Sequence, residues 1–422
     1  MKILIVSNFY PPARPGGYTQ WCHEVASELQ NRGHEITVLT SDYELDICPP
    51  NESNIFRQLH LDGDLFFYNP THFFLHHKRE VQENENFVAQ TLSAVQPDII
   101  FIWGMWGLSH KIPSLIERLC PEQVVYFLSD YWPSLPSMHD AYWQLPAHHK
   151  VLQLPKYVLN KLVTKYAIDK LETPLEFQHA LCVSKAVRTI LVNEGIPLQH
   201  AKVVHGGTDT SRLGNELINL PPHPAVYTPL KMLYAGQLVP HKGVHTTIEA
   251  VAHLVNNLSI CSLHLTIIGS GHPTYEESLQ NLVQTLNIES YVTFQGLVKK
   301  SSMFSFMSNY HVLLFPSIYE EPFARMTQEA MHVGLVVIGT TTGGTKEILQ
   351  DDVNGLTFKA EDHVELAQKI AQLIDQPALL SKYRTSAYRL VREQYTLEKM
   401  VDNIETYLSD VSKATKVLSP LS

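Results

Sequence analysis

The chain alternates short apolar runs with helical stretches, and it does so in two series. The first reads as strands at Lys2–Ser7, Glu35–Thr40, Asp98–Trp103, Gln123–Leu128, Ala180–Val183 and Ala201–His205, with one more near Leu61–Phe67. The second reads as strands near Lys231–Ala235, His264–Ile268, Tyr291–Gln295, His311–Phe315 and Leu335–Gly339. Apolar runs this short, closed by turn residues and separated by helices, are the mark of buried strands in a parallel sheet. Two such series predict an α/β fold of two doubly wound domains, and 422 residues exceed what a single core usually serves. The expected domains are 1–212 and 230–395, joined by a proline-rich linker at 213–229. A helix at about Leu397–Val411 has no strand of the second sheet to serve, so the segment 396–422 is expected to return to the first domain. Other helices are expected at Tyr18–Asn31, Glu80–Val95 and Pro155–Leu171.

Composition narrows the class. A formal charge of −10 argues against a nucleic-acid binder, whose footprint would be basic. No apolar run reaches the length of a membrane span, and the opening MKILIVSNFY reads as a first strand and not as a signal peptide. The five cysteines have neither metal-binding nor redox spacing and fit thiols in a reducing cytoplasm. Lys156, Lys161, Lys165 and Lys170 line the helix Pro155–Leu171. They are either solvated lysines on a helix packed against its own domain or the basic face of a helix lying on an anionic membrane surface.

Chemistry gathers in FPSIYEEPFARMTQEAM, Phe315–Met331, and in the Gly343-Gly344 pair that follows. A strand ends at Pro316-Ser317, and Pro322 stands where a helix would start. Glu321 then lies on the strand-to-helix loop and Glu329 two turns into the helix. Between them the amides of Phe323, Ala324, Arg325 and Met326 would form an open helix start, a seat for phosphate. Carboxylates around a phosphate seat suit hydroxyl groups, so the stretch by itself points to a nucleotide sugar; a plain helix start with a solvated Glu329 is the alternative. The first loop, NFYPPARPGG, is not GxGxxG, yet Gly16 and Gly17 would let backbone amides approach an anion closely; a plain turn with a flexible helix start is the alternative. The strands at Asp98–Trp103 and Gln123–Leu128 end in WGMWG and SDYWP. These aromatic tips either shape a sugar or acceptor pocket, where an open α/β sheet carries its binding residues, or, more commonly, pack hydrophobically at a loop.

Taken in order, the motifs resemble the retaining, nucleotide-sugar-dependent glycosyltransferases of the GT-B fold, family four. They are PPARPGG ending at Gly17, GHEITVLTS, VSKAVR from Val183, GGTDTSRL from Gly206, GQLVPHKG from Gly236, IIGSG from Ile267, FQG from Phe294, Glu321-x7-Glu329, and GGTKEIL from Gly343. The resemblance covers nearly the whole chain and implies two Rossmann-like domains facing across a cleft, with the C-terminal helix crossing back. It implies that Lys242, with the Gly236-Gln237 loop and Gly269, binds the donor diphosphate, and that Gly16 and Gly17 meet it from the first domain. Glu321 would bind sugar hydroxyls, Glu329 the ribose diol, the amides of Phe323–Met326 the sugar and phosphate, and the backbone near Val298 the base. Ser129 and Asp130 would lie near the transferred sugar.

The implied reaction needs no metal, and a fixed ammonium at Lys242 would stabilise the leaving diphosphate more in the transition state than in the ground state. Departures from the family pattern are Gln237 for arginine, Ser129 for histidine, Gly206 for asparagine and Ala324 for glycine. The expected partners are a nucleotide sugar and a carbohydrate, lipid-linked or small-molecule acceptor, the acceptor being met by the loops at Asp42–His77 and Pro136–Glu176. The expected setting is the cytoplasm, with peripheral membrane contact as the second reading of the lysine-bearing helix. The alternatives are a non-catalytic nucleotide-sugar-binding partner of another transferase and a sugar-nucleotide epimerase on the same fold.

Overall fold

The structure, a computed structural model, describes residues 1–13, 16–49, 52–62, 68–146, 153–163, 174–210 and 229–418. The chain forms two compact units, one holding Met1–Val183, Val187–Val204 and the chain from Val401, the other Ser184–Ala186 and His205–Met400. Each is built on a parallel sheet, so the expected pair of doubly wound domains is what the chain forms.

The first sheet has seven strands: β1 Lys2–Val6, β2 Glu35–Ser41, β3 Ile55–Leu59, β4 Ile99–Ile102, β5 Val124–Leu128, β6 Ala180–Cys182 and β7 Lys202–Val203. Their order is β3-β2-β1-β4-β5-β6-β7. Every residue of β4 and β5 is buried, which explains why these strands read as continuous apolar runs without alternation. The third strand is Ile55–Leu59 and not the stretch near Leu61–Phe67, of which residues 63–67 lie outside the described residues. The helix expected at Glu80–Val95 begins ten residues earlier, spanning Pro70–Val95, where the Asn69 side chain accepts from the amides of Thr71 and His72 and Pro70 takes the first position. Its buried face runs through Phe73, His77, Val81, Asn84, Val88 and Leu92, and the buried His77 hid the periodicity of its first turns.

The second sheet has six strands: β8 Leu230–Ala235, β9 Leu263–Ile268, β10 Val292–Gly296, β11 Val312–Phe315, β12 Val336–Gly339 and β13 Gly355–Thr357. Their order is β10-β9-β8-β11-β12-β13. Met232, Tyr234, Ile248, Val251, Leu265, Val312 and Ile338 belong to one core that packs helices on this sheet. The edge strand β13 was not expected. It is three residues long and opens on Gly355, where a Cβ would come within 2.5 Å of the Val337 carbonyl oxygen. In both sheets the order reverses between two strands, β1 and β4 in the first and β8 and β11 in the second. Such reversals open a crevice at the carboxyl ends of the strands, where ligands bind in folds of this kind.

The chain enters the second unit at His205, ahead of the proline-rich stretch, of which residues 211–228 lie outside the described residues. Local bonding sets the place: Gln328 Nε2 donates to the Gly206 carbonyl at 2.7 Å, and Thr208 exchanges backbone bonds with Tyr395 and Leu397. Ser184–Ala186 belong there too, because the Glu347 carboxylate accepts from the amides of Lys185 and Ala186 at 3.1 and 2.9 Å. The helix Leu397–Leu418 joins the first unit from Val401 onward. It buries Val401, Ile404, Leu408 and Val411, and Arg32 reaches its Asp402 and Glu405 at 2.7 Å each. The helix expected at Pro155–Leu171 is seen as Gln153–Val163, the remainder lying outside the described residues. Among the described residues no helix is long and apolar enough to cross a membrane.

Candidate active site

In the second unit, Gly236, Gln237, Lys242, Gly269, Val298, Glu321 and Ala324 all lie just past the carboxyl ends of β8, β9, β10 and β11. The loops are locked to one another by backbone contacts that leave no room for side chains. Gly269 has φ +140° and its Cβ would fall 1.8 Å from the Gly236 carbonyl oxygen, while its amide donates to Gly296 at 2.9 Å. Tyr234, on β8, donates its hydroxyl to the Gln237 carbonyl at 2.8 Å. Gly243 has φ +69°, and a Cβ there would lie 2.1 Å from the Pro316 carbonyl oxygen. Glycine is thus required where the β8 loop presses on the β11 loop. The amides of Ile318 and Tyr319 both donate to the His241 carbonyl, at 2.9 and 3.1 Å.

These contacts deliver Lys242 to Glu321 across the β8–β11 reversal. Lys242 Nζ is 2.7 Å from Glu321 Oε1, and the Ser317 hydroxyl donates to the same oxygen at 2.5 Å. The Tyr319 ring lies 5.5 Å from the ammonium, within cation–π range. Glu321 is buried, and its backbone is seated on the glycine pair: the Gly344 amide donates to the Glu321 carbonyl at 2.6 Å and the Gly343 amide to the Glu320 carboxylate at 2.5 Å. Gly343 has φ +54° and a Cβ would meet the Glu321 carbonyl oxygen at 2.3 Å. Ser317 and this supporting role of Gly343-Gly344 were missed in the sequence, since nothing there ties residue 317 or 343 to residue 321.

The helix after this loop is Arg325–His332, capped by Ala324, and does not begin at Pro322 as expected. The Glu321 and Pro322 carbonyls are turned to Gly344, so the backbone becomes helical only later, with Gln328 donating to Ala324 at 3.3 Å. The amides without an intrahelical acceptor are therefore those of Arg325, Met326 and Thr327; Phe323 lies before the helix, its ring stacked on His205 at 5.1 Å. Glu329 is one turn into the helix, not two, and pairs with Arg325 Nε at 2.8 Å.

Gly16, Gly17, Ser129 and Asp130 belong to the first unit, at the carboxyl ends of β1 and β5. Gly16 caps the helix Gly17–Asn31 in extended conformation and exchanges bonds with the Thr19 hydroxyl. The loop before it is fixed by two residues the sequence reading passed over. Arg57 donates to the Tyr10 and Pro11 carbonyls at 2.8 and 2.7 Å and to Glu52, and Asn8 donates to the Trp106 carbonyl at 2.6 Å. The Ser129 hydroxyl is buried with no hydrogen-bond partner among the described residues. Burial pushes the Asp130 carboxyl up to about 6 against the lowering effect of the Trp132 amide, which donates to it at 3.0 Å. Of the two tryptophans in WGMWG, Trp103 is core, stacked on Phe127 at 4.3 Å. Trp106 lines a cavity of about 540 Å³ with Asp62, Phe73, Trp132, His139 and Asp140.

Known proteins resemble the chain along nearly its whole length. An uncharacterized glycosyltransferase of Methanocaldococcus jannaschii is 24% identical over 408 residues, 95% of this chain and 96% of that one. The glycogen synthase of Mycobacterium tuberculosis is 24% identical over 99% of this chain and 95% of its own. Anabaena HepE, solved in complex with UDP and glucose, superposes with a TM-score of 0.67 at 19% identity, covering 97% of this chain and all of that one, a likeness that establishes the fold. Residues 15–212 match the model of glycosyltransferase family 4 and residues 220–390 that of the glycosyl transferases group 1, so the chain belongs to the GT-B glycosyltransferases of this family-four type.

Proposed function

We propose that this glycosyltransferase moves a sugar from a nucleoside-diphosphate sugar to an acceptor hydroxyl with retention of anomeric configuration, in the building of a glycan. The single observation that carries the reading is the Lys242–Glu321 pair at the strand-order reversal of the second unit, beside the start of the helix Arg325–His332. A diphosphate there would draw on the Lys242 ammonium and the amides of Arg325 and Met326, the sugar hydroxyls on Glu321, and the ribose diol on Glu329. The backbone near Val298, beyond β10, would take the base. In the first unit Gly16 and Gly17 would offer amides to the donor, Ser129 and Asp130 would meet the transferred sugar, and the aromatic cavity would hold the acceptor.

The bond from the anomeric carbon to the diphosphate oxygen breaks with its electron pair going to the phosphate, where Lys242 and the helix amides meet the new charge. The acceptor oxygen bonds to the same face, and its proton passes to the departing phosphate oxygen. Charge is then handled by the chain's own cation and amides, which is the basis for proposing a metal-independent reaction. HepE, whose structure holds UDP and glucose, supports a nucleotide sugar as donor.

A thermal-shift panel of UDP-, GDP- and ADP-sugars followed by transfer to glycan and lipid acceptors tests the proposal, with product configuration read from anomeric proton coupling. Retention, with rates unchanged by a chelator, is expected. Inversion would overturn the mechanism, and tight donor binding without transfer to any acceptor would favour a nucleotide-sugar-binding partner.

A further inference from the structure

The Arg325–Glu329 pair is poorly placed for stability. Arg325 occupies the first position of its helix, the end where the dipole disfavours a cation. It precedes its glutamate by four residues, the weaker order for a helical ion pair. Both side chains are largely withdrawn from water, at 11% and 12% exposure, so desolvation offsets much of the attraction. The ion pair by itself therefore contributes little to fold stability.

A ligand does. Lys242–Glu321 and Arg325–Glu329 are each a cation held by a carboxylate and each formally neutral, with Glu321 and Arg325 four residues apart along one loop and helix start. A diphosphate brings net negative charge that neither pair meets while it stays closed. Hydroxyls donating to Glu329 would occupy the oxygen that now accepts from Arg325 Nε and loosen the guanidinium from it, a group whose planar geometry matches two phosphate oxygens.

We propose that Arg325 is a second phosphate-binding cation, stored on Glu329 and released to the donor diphosphate when the ribose diol takes its place. The inference rests on the donor reading given above and assigns the Arg325 side chain, beyond its amide, to that site. Ribose binding and phosphate binding are thereby coupled, so that a nucleoside diphosphate binds more tightly than its nucleoside and phosphate parts would separately.

The test compares UDP, GDP and ADP with uridine, guanosine and adenosine, titrated calorimetrically into wild-type, Arg325→Gln, Arg325→Lys and Glu329→Gln chains, with melting temperature recorded for each. Arg325→Gln should weaken the recognised diphosphate about 10- to 100-fold, the range of a charged hydrogen bond, and leave its nucleoside within about threefold. Arg325→Lys should recover part of the diphosphate affinity. Glu329→Gln should do the reverse, weakening the nucleoside while the diphosphate's own advantage over it persists or grows. Equal losses for both ligands in Arg325→Gln, or no loss for either, would overturn the assignment while leaving the donor reading intact. A wild-type chain that binds none of the three diphosphates would overturn both.

Discussion

Replacing Lys242 by methionine separates what the ion pair does for the fold from what the ammonium does for chemistry. Lys242 Nζ lies 2.7 Å from Glu321 Oε1, with the lysine side chain 24% exposed and the glutamate 9%. Removing the ammonium leaves the carboxylate to the Ser317 hydroxyl and to whatever water can reach it. Stranding a fully buried charge costs about 3–5 kcal/mol; the partial exposure of this pair lowers the expectation to about 1–2 kcal/mol. For a domain of 150–250 residues that is a fall in melting temperature of roughly 2–8 °C. Adding Glu321→Gln removes the stranded charge and should return most of that loss. Transfer behaves differently. A group that meets charge developing on the leaving phosphate contributes about 100- to 1000-fold in kcat, and the double variant should not regain it. Melting curves and initial rates of nucleoside-diphosphate release, measured on the two single variants and the double, give the whole cycle. A Lys242→Met chain that turns over within tenfold of wild type would refute the role of the ammonium, whatever its melting temperature.

Asp130→Asn should act through pH. Burial keeps the folded carboxyl protonated up to about 6 against an ordinary 3.8, so the folded chain holds more protons in that window; its stability is full below the lower value and declines as pH rises through the upper. The asparagine variant should gain about 1–2 kcal/mol at pH 8, after discounting for residual solvent contact, and nothing at pH 4, as read by denaturant unfolding at both; an equal gain at both would refute the argument. Gly343→Ala should cost about 2 kcal/mol or more and depress transfer, because its Cβ meets the Glu321 carbonyl oxygen at 2.3 Å. Gly33→Ala, at φ +89° with open space around it, should cost about 1 kcal/mol and leave transfer alone. Arg57→Met strands Glu52 and two loop carbonyls and should lower stability by about 2–3 kcal/mol, visible as faster proteolysis in the loop before Gly16.

Much of the molecule was readable before any coordinates. Strands such as Val124–Leu128 and Val312–Phe315 are buried on both faces, and burial of that kind writes itself into a chain as an uninterrupted apolar run. The short β13 and the front half of the helix Pro70–Val95 left no such trace. One relies on a glycine fitted against its neighbour strand, and the other carries His77 on its buried face. The residues around Glu321 were legible because strand, turn, proline and two carboxylates are contiguous. The true helix start at Arg325 was not, because Gly344, from a later loop, holds the Glu321 carbonyl.

Local order along the chain therefore determined which elements exist, how many sheets they build and which loops carry polar chemistry, since those follow from residue period and turn composition. Which side chains meet was decided only by tertiary structure. Lys242 finds Glu321, whose oxygen Ser317 shares, because β8 and β11 are neighbours in space and their loops are pressed together through Gly243. Pairing across 79 residues depends on strand order and on backbone contacts shorter than any side chain would allow, and a linear pattern carries neither.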